Sequence, residues 1–364
     1  MSTPNQPETE HSADHDTDHD ADRDADRAER RLATVEVVAA VTPIPDADAI
    51  ESAQVRGWTV VVAKGDVAVG DKVVYFEIDS FLPFTDARFE FLRPRGHKTV
   101  DETVGHVLRT IRLRGVYSQG LVLPVATFPE LPDAEPGTDV TTELGITKWE
   151  PPVPAELSGT VLGPYVREAA VKTDAERAQN LDDERWRVLA THPVGWIATE
   201  KVDGTSATYF QSPTGLRVSG RNWEYERSAT NTLWRIADEF DLAGRLEPGM
   251  AVQGEVFGEG IQANPLKIRG QRLAVFAVHR DGRPLARADW PRWADDLAAP
   301  TYPLAFPGSP AEAITQVDGL ESLITAGRQA EGVVWHTVDG TTFRELDGRG
   351  QFKAINNRFL ARQK

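Results

Sequence analysis

Residues 200 to 204 read Glu200, Lys201, Val202, Asp203 and Gly204, directly after an apolar run. A lysine amine is a strong nucleophile only when neutral, and its ordinary pKa is about 10.4. Desolvation, a neighbouring cation or a metal must lower that value. The carboxylate two positions on cannot do so, because opposite charge favours the ammonium. Its useful role would be to hold a metal ion through water. Taken alone, the run also reads as a strand-end turn carrying a surface lysine. Further groups follow in order: Ser219, Gly220 and Arg221; Gln253, Gly254, Glu255, Val256, Phe257 and Gly258; Leu273 to Ala277 around Phe276; Glu331, Gly332, Val333 and Val334; and 352–359 around Lys353. Singly, Glu255 and Glu331 could be ordinary strand-end carboxylates and Phe276 a core aromatic. Gly254, Gly258 and Gly260 do not make a phosphate loop, since no Gly-Lys-Ser/Thr follows.

These residues need strands to hold them. Short β-branched runs lie at 196–200, 206–211, 215–219, 250–257, 272–279 and 331–337, with helical patterns at 184–190, 230–240 and 311–326. This predicts a mixed α and β module. Upstream, runs at 33–41, 58–63, 72–78, 106–113 and 120–125 are separated by turn residues and predict a small β-barrel or sandwich. Residues 126–163 are rich in proline and glycine, including Pro151, Pro152 and Pro154, and read as a linker. Residues 164–190 read as connecting helices. Division is expected into an acidic tail (1–31), a β module (32–150), a linker with connecting helices (151–190) and a catalytic module (191–364).

The ordered groups resemble the motifs of the covalent nucleotidyltransferases, the superfamily of polynucleotide ligases and capping enzymes. The resemblance implies an α+β protein. An OB-like β-barrel would precede an ATP-grasp-like ligase domain of antiparallel sheets and helices. It implies that Lys201 attacks the α-phosphate of ATP and that Lys353 stabilises it. Glu200, Lys201, Arg221, Glu255, Phe276, Glu331 and Lys353 would form the nucleotide site, with Phe276 stacking on adenine. Asp203, Glu255 and Glu331 would serve Mg2+ or Mn2+, which suits an ion that keeps several waters. With the barrel in front, only eleven residues after Lys353 and no cysteine for a zinc site, the chain is most similar to ATP-dependent, nick-sealing RNA ligases of the Deinococcus type. The expected partner is RNA with nicked or broken ends on an RNA or DNA template. A cytoplasmic monomer without membrane contact is expected. Motif V departs from the family: Ile355 stands where a second lysine is common, so Lys353 acts alone or Arg358 helps. Two other readings stay open. One is a catalytically degenerate RNA-binding protein. The other is a DNA-directed ligase or GTP-using capping-type enzyme.

The chain of 364 residues has a formal charge of −16, 40% hydrophobic residues, nine tryptophans and no cysteine. Disulfides and thiolate chemistry are excluded. No apolar run is long enough to span a bilayer. Residues 1–30 carry a net −7 and residues 191–364 only −1. The tail alternates aspartate with small and polar residues and reads as a disordered arm. Its His11, His15 and His19 read as a solvated spacer or a weak metal site. Within the β module, Arg88, Arg93, Arg95, His97, Lys98, Arg109, Arg112 and Arg114 form a basic cluster. Arg93, Arg95, Arg112 and Arg114 are the candidate RNA contacts, with Arg112 and Arg114 expected on one strand face.

Overall fold

The computed structural model describes residues 30–100, 102–149, 159–172 and 174–362. The arm up to residue 29 with its histidines, and the prolines at 151, 152 and 154, lie outside the described residues.

The first module is built on an antiparallel sheet. Its strands run in the order Leu121–Pro124, Lys72–Phe76, Ala33–Pro43, Ile50–Val55 and Trp58–Ala63. Lys72–Phe76 is apolar on both sides because both sides are covered. Val73 and Tyr75 pack with Val38, Trp58 and Val60, while Val74 and Phe76 pack with Val35, Phe89 and Phe128. The sheet curls, and a hairpin of Thr110–Leu113 and Val116–Gln119 closes toward its far edge. There the Val61 N–H donates to Ser118 Oγ at 2.9 Å.

The linker reading fails over 126–149. Phe128, Leu131, Val140, Leu144 and Ile146 are buried against the first sheet. The prolines and glycines of this stretch make turns between apolar anchors. The shared strand face of Arg112 and Arg114 also fails. The strand ends at Leu113, and Arg114 (φ 47°) and Gly115 (φ 88°) form the hairpin turn. Two successive positive φ values match the twist of the flanking strands.

The second module has two sheets. One runs Val161–Pro164, Trp223–Tyr225, Gly215–Ser219, Thr205–Ser212, Met250–Gly258, Gln271–Arg280 and Arg283–Pro284, all antiparallel. The other runs Glu176–Arg177, Gln351–Ile355, Gly332–Thr337, Trp196–Lys201 and Thr301–Tyr302. It is mixed, because Glu176–Arg177 pairs parallel to Phe352 and Lys353. Val161–Pro164 and Glu176–Arg177 therefore contribute one strand to each sheet, ahead of the connecting helix. The helix Asp183–Thr191 begins where expected, its cap supplied by Asp182. Thr232–Glu239 is capped by Asn231, whose side chain accepts from the Leu233 and Trp234 N–H groups. It buries Leu233, Trp234 and Ile236 against the seven-stranded sheet of this module. Pro310–Val317 is shorter than its pattern predicts, because Gly319 turns at φ 74° and residues 320–329 form a loop.

From Leu32 onward the chain clusters as one unit. Arg177 joins the modules, 3.5 Å from Glu77 and 3.3 Å from Asp79, with its guanidinium over Trp58. Trp58 Nε1 donates to Asn180 Oδ1 at 2.7 Å. Ile355 and Leu360 complete the apolar cluster of Val38, Val55 and Trp58. Ile355 is thus part of the module interface, which gives a physical reason for an apolar residue there. Among the described residues no helix is long and apolar enough to cross a membrane.

Candidate active site

Lys201 ends the strand Trp196–Lys201, whose neighbours are set by register. Lys201 lies opposite Gly332, and Thr199 lies opposite Val334, which in turn faces Lys353. Cross-strand partners share a face. Thr199, Lys201, Val334, His336 and Lys353 therefore face the cleft between the two sheets. Ala198, Val333, Trp335 and Phe352 face the core behind, where Trp335 stacks on Phe352 with ring centroids 5.2 Å apart. The opposite wall is built the same way. Glu255 pairs with Ser206 and Ala274, and a bulge beside Gly254 sets Phe276 on the cleft side.

The turn after Lys201 is forced close to this wall. A Cβ on Gly204 would collide with the Val256 carbonyl and meet the Glu255 side chain at 3.0 Å. Glycine is required there by approach, not by a positive φ. It brings Asp203 to the same cavity of about 970 Å³ that Lys201, Arg221, Glu255, Phe276 and Lys353 line. That size fits a nucleotide-class ligand.

Lys201 Nζ is ion-paired with Glu331 at 2.8 Å, with 25% and 11% of the side chains exposed. Burial would lower the lysine pKa, but Glu331, Glu255 and Asp203 outweigh it and hold the amine as an ammonium above its usual range. The carboxyls respond in the opposite sense. Burial, with repulsion from neighbouring carboxylates, pushes Asp203 up to about 7 and Glu255 up to about 8. Three acids around one ammonium leave the site short of positive charge, which fits a divalent cation. Among the described residues no three acidic or imidazole groups stand together as a ready ligand set. These carboxylates therefore suit contacts made partly through water, as Mg2+ prefers.

Glu200 lines the cavity, but its carboxylate turns away from it. The side chain lies on the opposite strand face, where its carboxylate accepts from Ser322 Oγ at 2.5 Å and the Leu323 N–H at 2.7 Å. Burial raises its pKa against those hydrogen bonds. Alternation along the strand commits this side chain to the 322–325 loop, while the residue itself still lines the cavity between Thr199 and Lys201. Arg358 pairs with Asp318 at 3.2 Å and does not line the cavity, whereas Arg362 does.

The basic cluster divides. Arg93 is tied to Glu90 at 2.7 Å and Arg88 to Asp86 at 2.6 Å. Arg112 lies over Tyr117, and none of Arg93, Arg95, Arg112 and Arg114 reaches the cavity. Arg109 does, beside Lys148 and Trp149, with its guanidinium 5.0 Å from the Trp149 ring centre. Lys148, Trp149, Asp174, His336 and Trp223 also line the cavity, and no motif pointed to them. Asp174 accepts two hydrogen bonds from Arg221, at 2.7 and 2.8 Å. Burial would raise its carboxyl, but Arg221, Lys148, Lys353 and Arg349 outweigh that and hold it below the usual range. The segment carrying it straps the cleft. Gln253 donates to Tyr165 Oη at 2.8 Å and to the Val171 carbonyl at 2.9 Å, and Arg349 donates to the Lys172 carbonyl at 3.0 Å.

Known proteins share this arrangement. A family model described as an OB-fold domain matches residues 32–125, and one described as RNA ligase matches residues 195–355. No curated protein matches in sequence. Among solved structures, an aspartate variant of Naegleria gruberi RNA ligase without ligand is 35% identical at a TM-score of 0.80. The match covers 91% of this chain and 97% of that one. A lysine variant of the same ligase, solved with ATP and Mn, gives 35% identity and a TM-score of 0.81, covering 91% and 99%. Its complex with PPi gives 36% identity and 0.80, covering 91% and 98%. The OB-fold module, the ligase module and their order thus agree with those proteins over nearly the whole described chain, and this protein belongs to the RNA ligase family.

Proposed function

We propose that this enzyme is an ATP-dependent RNA ligase that seals 3′-hydroxyl/5′-phosphate breaks in duplex nucleic acid. In this reading it is a nick-sealing, Deinococcus-type member acting as a monomer on broken RNA held by a template strand. The observation that carries the reading is Lys201, ion-paired to Glu331 on the floor of a cleft that also gathers Asp203, Glu255, Arg221, Phe276 and Lys353. The relatives solved with ATP, Mn and PPi support the same ligands here.

Lys201 attacks the α-phosphorus of ATP. The Nζ–P bond forms, the bond to the β-phosphate oxygen breaks, and pyrophosphate leaves. A divalent cation at Asp203, Glu255 and Glu331 would take over their negative charge and favour the neutral amine. Lys353, fixed opposite Val334 on the same face, stabilises charge on the phosphate oxygens. Phe276 supplies the ring for adenine. A 5′-phosphate oxygen of RNA then takes the AMP from Lys201. Finally the 3′-hydroxyl attacks that 5′-phosphate and expels AMP. The catalytically degenerate alternative is opposed by the intact charges at Lys201, Glu255, Glu331 and Lys353.

Incubation with α-labelled ATP or GTP and Mg2+ or Mn2+, followed by a chase with nicked RNA or DNA duplexes, tests the reading. A covalent ATP-derived adduct lost in Lys201→Ala and chased into sealed RNA is expected. An adduct that persists in Lys201→Ala, or one that transfers only to DNA, overturns it.

A further inference from the structure

Trp223 stands at the rim of the nucleotide cleft with 47% of its surface exposed. Indoles are highly buried on average. This one is exposed on backbone that is held from several sides. It opens the strand Trp223–Tyr225, paired with Val161–Pro164 on one side and Gly215–Ser219 on the other. The Gly220 N–H donates to the Trp223 carbonyl at 2.9 Å. The Tyr165 N–H donates to the Asn222 carbonyl at 2.9 Å, and Lys172 donates to Asn222 Oδ1 at 3.3 Å. The turn therefore presents an indole and, two residues away, the Arg221 guanidinium, as a fixed pair.

Trp149 in the same cleft is covered by Lys98 and Arg109, and half-buried Phe276 stands on the bulged strand of the same wall as Trp223. One nucleotide uses one ring. A second aromatic at the rim beside an arginine suits a second nucleotide, its base on the indole and its phosphate near the guanidinium. Aromatic faces stack on any base, and RNA ends are commonly recognised in this way. Of the two ends at a break, only the 5′ end brings a terminal phosphate.

We propose that Trp223 is the stacking platform for the terminal base of the strand that carries the 5′-phosphate into the cleft. This rests on the RNA ligase reading above and adds the residue that seats the acceptor end. Recognition through a π-face predicts tolerance of base identity at that position.

The test uses the full-length protein, Trp223→Ala and Trp223→Phe, with a nicked RNA duplex bearing a 5′-phosphate. Trp223→Ala should raise KM for the nick about tenfold with kcat held within about threefold, and Trp223→Phe should recover most of the loss. Lysyl-AMP formation involves no RNA and should proceed as in the wild type. A 2-aminopurine at the 5′-terminal position should change fluorescence on binding to wild type and Trp223→Phe, but not to Trp223→Ala. An unchanged KM, a parallel loss of lysyl-AMP formation, or an equal signal from 2-aminopurine at the 3′-hydroxyl end would overturn the assignment. The binding signal needs no catalysis, so it judges Trp223 even if the wild type forms no lysyl-AMP, an outcome that would instead overturn the ligase reading.

Discussion

Lys201 Nζ lies 2.8 Å from each carboxylate oxygen of Glu331. The proposed nucleophile therefore rests as an ammonium inside its own site. Burial alone would lower its pKa, yet Glu331, Glu255 and Asp203 together raise it. Below that raised pKa, the neutral amine grows tenfold with each pH unit. The rate of lysyl-AMP formation should rise with pH between about pH 6 and 9. Single-turnover adenylylation across this range checks it, and a flat profile would show that the lysine proton is not a barrier.

The acids in the same site predict how stability depends on pH. Glu255 is raised to about 8 and Asp203 to about 7 in the folded protein, against ordinary values of 4.5 and 3.8. The folded state thus binds more protons than the unfolded state between those limits. Stability is greatest below the unfolded pKa and is lost as pH rises toward 7 to 8. Thermal melts without divalent cation should show wild type losing on the order of a few kcal/mol across pH 4.5–8 relative to Glu255→Gln. Added Mn2+ should restore part of that loss by binding only the folded state. Parallel profiles for the two proteins would remove the repulsion from the site.

Much of the site was legible because its residues sit at fixed strand positions. Lys201 and Lys353 come together through the register of three neighbouring strands, and Glu331 sits just before the middle one. The direction of the Glu200 carboxylate was not legible, because nucleotide motifs do not say which face of a strand a side chain takes. Asp174 was invisible for another reason: its partners Arg221, Lys148, Lys353 and Arg349 come from separate parts of the chain. The stretch 126–149 looked like a linker because its turns outnumber its apolar anchors, and only the sheet beneath explains Phe128 and Leu144.

Gly204 predicts a steric outcome. Its missing Cβ lets the Lys201–Asp203 turn approach Val256 and Glu255. Gly204→Ala must push the two walls apart, since the obstruction is a strand carbonyl and not a flexible side-chain end. Overpacking of this kind costs about 1–3 kcal/mol. Displacement by even 1 Å can cost about a hundredfold in rate. Lysyl-AMP formation should fall about that far while the folded protein still melts cooperatively. Wild-type kinetics in Gly204→Ala would mean the turn has room to spare.

Ile355 offers the sharpest contrast between family pattern and local physics. The resemblance to nick-sealing ligases places a second lysine here, and introducing it would be expected to add a phosphate contact. In this fold Ile355 is 3% exposed and packs with Val38, Val55 and Trp58 of the first module. An ammonium there would lose water without gaining a charge partner in the cluster. Leaving a buried charge uncompensated costs about 3–5 kcal/mol. Ile355→Lys should therefore lower the urea midpoint and reduce sealing, whereas Ile355→Val should cost only about 0.5–1.5 kcal/mol. Because Ile355 joins the two modules, the lysine variant should also become more sensitive to proteolysis between them. A lysine variant with a wild-type midpoint and faster sealing would show that the barrel leaves this position open to the cleft.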